Sequence, residues 1–82
     1  MADIRDIVAK MRNNSVGIRF DDLVKVCEHY FTFFRQKGSH RKYKTGVRGD
    51  PLINLQEDHG KAKRYQVEQV LTAIDKKETH EN

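Results

Sequence analysis

The residues best suited to chemistry lie together in the stretch Gln36-Lys37-Gly38-Ser39-His40-Arg41-Lys42-Tyr43-Lys44. An imidazole exchanges protons near neutral pH, and ammonium groups beside it can hold phosphate oxygens. From His40 the side chains alternate as a half-buried strand requires, so His40, Lys42 and Lys44 share one face and Arg41 and Tyr43 the other. The first face suits a phosphodiester. Cleavage of RNA by its own 2′-hydroxyl needs a base, an acid for the leaving oxygen, and stabilised charge on the phosphorane. His40 is the candidate general acid/base, and Lys42 and Lys44 are the candidate phosphate ligands. Gly38 lets the backbone turn or bulge before the histidine and removes bulk where a ligand approaches. The plain alternative is a solvated histidine on a basic strand.

A second basic group, Lys61, Lys63 and Arg64, falls just before and at the start of an apolar-periodic segment. Cations there join the positive end of a helix dipole in holding a phosphate. Ser39 either donates to that phosphate or begins the strand, and Tyr43 has the parity of a packing residue. His29, His40, His59 and His80 show neither the i, i+4 spacing nor the cysteine pairs of a zinc site, so no metal or other cofactor is expected. No phosphate-binding glycine loop, nucleophile elbow or Ser-His-Asp arrangement is visible.

The elements that must position these groups fit one small domain of 82 residues. Hydrophobic residues are 37% and charged residues 34%, enough for a thin core and too apolar for full disorder. The 16 Lys and Arg exceed the 12 Asp and Glu, giving a formal charge of +4, and most of the basic residues lie between Lys25 and Arg64. A basic centre is the electrostatic footprint of a nucleic-acid partner, or else a solubilising surface. Cys27 is alone, which fits a reducing compartment and a buried apolar role. With no membrane-spanning run and no signal-peptide pattern, the expected location is cytoplasmic.

In order, Asp3 to about Arg12 reads as a helix with Ile4, Ile7, Val8 and Met11 as its stripe and Asp3 and Asp6 as a capping pair. A second helix follows, carrying Phe20, Leu23, Val24, Cys27 and Phe31 on its apolar face. Strands are expected over Thr32 to Gln36, Ser39 to about Thr45, and Leu52 to Gln56, with a glycine-rich connection at residues 46–51. Glu57 to Lys63 reads as a polar loop. A last helix runs from Tyr65 to about Lys76, and residues 77–82 are expected to fray. The fold class is α+β: a three-stranded antiparallel meander with helices on one face. Residues 1–14 form an additional N-terminal helix. Without it the order α-β-β-β-α is that of double-stranded RNA-binding domains.

Lys37-Gly38-Ser39-His40, followed by a basic residue and, at Tyr43, an aromatic one, resembles the signature strand of the HicA family of toxin mRNA interferases. The position of the third strand and the final apolar helix extend the resemblance over roughly residues 20–74. It implies a double-stranded RNA-binding-like fold and metal-independent cleavage of mRNA, with His40 as the catalytic histidine. It also implies that a HicB-type antitoxin protein is the partner, and the candidate RNA-binding residues beside His40 are Lys37, Gly38, Ser39, Lys42, Lys44, Lys61, Lys63 and Arg64. The chain departs from the family in its N-terminal helix and in lacking a proline before His59. Two other readings fit the same residues: a non-catalytic RNA-binding module, and a small protein-binding adaptor.

Overall fold

A computed structural model describes residues 3–80, with the elements α1 (Ile4–Asn13), α2 (Phe20–Tyr30), β1 (Thr32–Lys37), β2 (His40–Lys44), β3 (Ile53–Gln56) and α3 (Arg64–His80). The expected element order and α+β class hold. The three strands form one antiparallel sheet in the order β1-β2-β3.

One face of the sheet builds the core. Tyr43, Ile53 and Leu55 point into it and are almost wholly buried against Leu23, Val26 and Cys27 of α2 and Val67, Val70 and Ile74 of α3. Burying each large apolar side chain contributes roughly 1.5–3 kcal/mol, so these positions dominate the fold's stability. In α2, Val26 is buried more deeply than Val24, which only packs partly against the core. Helix α1 lies on α2 and α3, inserting Ile7 and Met11. Its Arg12 donates to Asp75 of α3 at 2.8 Å. Asp3 does stand at the N-cap of α1, but its side chain makes no capping bond.

The expected frayed tail is a correction. Helix α3 continues through Lys77, Glu78 and Thr79 to His80, while Glu81 and Asn82 lie outside the described residues. Lys77 explains the extension. Its ammonium donates to the carbonyl of Tyr30, one of the acceptors that the end of α2 leaves unpaired, and lies over the Phe31 ring at 5.7 Å.

The segment read as a polar loop is also more ordered than its composition indicates. Asp58 and Lys61 exchange backbone hydrogen bonds of 2.9 and 3.0 Å around His59 and Gly60, both at positive φ. Beyond that tight turn, Ala62 donates to Ile18 at 2.8 Å and Phe20 to Gly60 at 3.0 Å. The entrance of α2 is thereby clamped to the approach of α3.

Candidate nucleic-acid interface

The site is built on the sheet face turned away from the helices. Lys37 and His40 are paired across the two-residue turn Gly38-Ser39. Gly38 has φ +60°, and a positive φ at the first loop residue is the pattern of the tight hairpin turns whose twist matches the strands. A Cβ at Gly38 would meet open space, so the glycine is required by the backbone rather than by crowding. Ser39 belongs to this turn and not to β2, which begins at His40.

Register brings the remaining groups in. His40 pairs with Gln56 and Lys42 with Asn54, so these side chains share the open face while Tyr43 with Ile53 and Arg41 with Leu55 face the helices. On the other side, β1 carries a bulge between Phe33 and Arg35: Phe33 pairs with Tyr43, yet Arg35 pairs with Lys42. The extra residue, Phe34, reverses the parity of everything after it. Without that reversal Lys37 would fall on the opposite face from His40.

Lys37, Gly38, His40, Lys42 and Asn54 line one hollow of about 620 Å³. His40 Nδ1 lies 3.3 Å from Asn54 Oδ1. With Nδ1 protonated, the ring donates to that oxygen and Nε2 is left as its acceptor nitrogen. None of the residues of the three strands is acidic, so the cations of this face have no carboxylate on the sheet to neutralise them. Arg41 is not part of this group. It is held on the helix side by Gln36 at 2.8 Å and the Tyr43 hydroxyl at 3.2 Å, and its guanidinium lies over the Phe33 ring. Burial pushes the Tyr43 phenol upward and the Arg41 contact opposes it.

Of the residues expected from sequence, Lys37, Gly38, His40 and Lys42 are brought together. Lys44 lies further along the same face, its ammonium 4.7 Å from the centroid of Phe34. Lys61, Lys63 and Arg64 do not line the hollow. Arg64 is the first residue of α3 and is paired with Glu68 at 2.8 Å, and Lys61 is held by its backbone opposite Arg19. The link between this group and the sheet is Gln66. It is buried, and with its amide oriented to satisfy both ends it accepts from the Gln56 N–H at 3.1 Å and donates to the Gln56 carbonyl at 3.3 Å. The start of α3 is thus fastened to the end of β3 that pairs with His40.

His59 occupies the turn at φ +52°, almost fully exposed, and contacts Asp58 at 2.8 Å. That is a turn role. Among the described residues no three His, Cys, Asp or Glu side chains cluster as ligands of a metal ion, and no helix is long and apolar enough to cross a membrane. Compared with known proteins, the chain matches no family model, no curated protein and no solved structure.

Proposed function

We propose that this chain is a HicA-like endoribonuclease, the toxin of a toxin–antitoxin pair, which cleaves mRNA in the cytoplasm and so stops translation. The observation that carries the reading is His40 standing among Lys37, Lys42 and Asn54 on an open sheet face whose three strands contain no acidic residue. The α-β-β-β-α order left when α1 is set aside fits the double-stranded RNA-binding-like fold that this reading assigns. In the reaction, His40 Nε2 takes the proton of a 2′-hydroxyl as the oxygen attacks its own phosphorus. The P–O5′ bond breaks, leaving a 2′,3′-cyclic phosphate and a 5′-hydroxyl, and the imidazolium returns its proton to the leaving oxygen. Lys37 and Lys42 offset the charge that grows on the phosphorane. No metal takes part in this scheme, and a HicB-type antitoxin covering the basic face would silence it.

The test is expression in cells. The parent chain should arrest growth while mRNA is lost, and His40→Ala, whose substitution lies on the open face, should fold and leave growth intact. Growth arrest of equal strength with His40→Ala would remove the catalytic role.

A further inference from the structure

The bulge of β1 puts an aromatic ring where a sheet edge ordinarily avoids one. Phe34 is 42% exposed on an edge strand. An uncovered ring there invites aggregation unless something of its own chemistry covers it. Two cations approach the ring: Lys44 Nζ at 4.7 Å and the Arg35 guanidinium at 5.7 Å from its centroid. Lys44 shares its strand face with Lys42 and His40, so Phe34 belongs to the same basic surface as the hollow. About three residues of strand separate it from Lys37 and His40, roughly 10 Å at the usual rise.

From this juxtaposition we infer that Phe34 is a stacking platform for an unpaired nucleobase of the RNA strand whose backbone runs toward His40. The inference rests on the RNA-cleaving reading and narrows its substrate to RNA that is single-stranded at the position beside the cleavage site. Chemistry selects this occupant. Every base has a π-face that a phenyl ring accepts, whereas a base inside a duplex is already stacked and out of reach. The two charges set against the ring, Lys44 and Arg35, are both positive, which complements a polyanion. Both flanking side chains are exposed, so a base can take one face of the ring while Lys44 and Arg35 move to the adjoining phosphates. The same bulge that turns Lys37 toward His40 therefore also presents the ring, and one local irregularity builds both ends of the strand-binding surface.

The experiment measures equilibrium binding of a single-stranded oligouridine, its abasic counterpart and an RNA duplex, with His40→Ala as the uncleaving background. Adding Phe34→Leu keeps apolar bulk but removes the π-face. It should weaken oligouridine binding about 5- to 150-fold and leave abasic binding and the salt slope unchanged. The chain has no tryptophan, so Phe34→Trp supplies a single indole at the platform. Its fluorescence should be quenched by oligouridine and not by the duplex or the abasic strand. Unchanged oligouridine affinity in Phe34→Leu, with cleavage by the parent intact, would overturn the platform alone. Failure of the parent surface to bind any RNA would overturn the functional reading and the platform together.

Discussion

His40 and Asn54 are diagonal neighbours on the open face, Nδ1 to Oδ1 3.3 Å, because His40 pairs with Gln56 and Lys42 with Asn54. The contact steadies the imidazole, and with Nδ1 protonated it leaves Nε2 as the acceptor nitrogen. Asn54→Leu, which keeps the volume and removes the acceptor, should slow cleavage about ten- to a hundredfold. Thermal stability and RNA affinity should stay near those of the parent, and the fall in rate should appear in kcat rather than KM. A variant of normal rate would mean that Asn54 does not position the base.

Gln66 carries a structural prediction. Its side chain replaces a neighbouring strand for Gln56, and it is buried. Gln66→Ala leaves the Gln56 N–H and carbonyl without that partner and should cost about 1–3 kcal/mol in urea unfolding. Because Gln56 pairs with His40, hydrogen exchange should rise first in β3 and then at the His40 end of β2.

Cys27 is fully buried, and burial pushes its thiol up to about 12. The native protein should resist alkylation at pH 8 and react once unfolded. The folded state keeps a proton that the unfolded chain releases above its ordinary value of 9.0. The thiol's contribution is therefore complete below pH 9 and declines as pH rises toward 12. The stability difference between the parent and Cys27→Ala should shrink over that window, by up to about 1.4 kcal/mol per pH unit.

Lys61 and Lys63 stand at the approach to α3 and away from the hollow. Ammonium groups there that hold phosphates position the strand without reading its sequence. Lys61→Ala combined with Lys63→Ala should weaken RNA binding and flatten its salt dependence by about 0.7 in log–log slope for each phosphate no longer neutralised. The cleavage sites should not change. Affinity equal to the parent at low salt would confine the RNA surface to the sheet.

Much of this arrangement is legible in residue order. The 3.6-residue periods locate α1, α2 and the body of α3, and the alternation from His40 to Lys44 assigns the faces of β2 correctly. Four features are not legible, each because a tertiary contact decides it. The bulge at Phe34 depends on the pairing of β1 with β2, and Thr32 to Lys37 shows no alternation that would reveal a slipped parity. Gln66 has the composition of a surface residue, and only the free edge of β3 gives its amide a reason to be buried. The last turns of α3 look polar in isolation, yet Lys77 finds the end of α2 there. Asn54 has the parity of the open face, but its contact with His40 follows from register, which no single strand specifies.

The central claim is that His40 does the chemistry on the RNA. The direct measurement incubates purified parent and His40→Ala proteins, both shown folded by circular dichroism, with a labelled single-stranded mRNA fragment in EDTA. The parent should produce fragments ending in 2′,3′-cyclic or 3′-phosphate with 5′-hydroxyl partners, and His40→Ala should bind the RNA equally well and leave it whole. Intact RNA with the parent, or the same fragments from His40→Ala, would contradict the account.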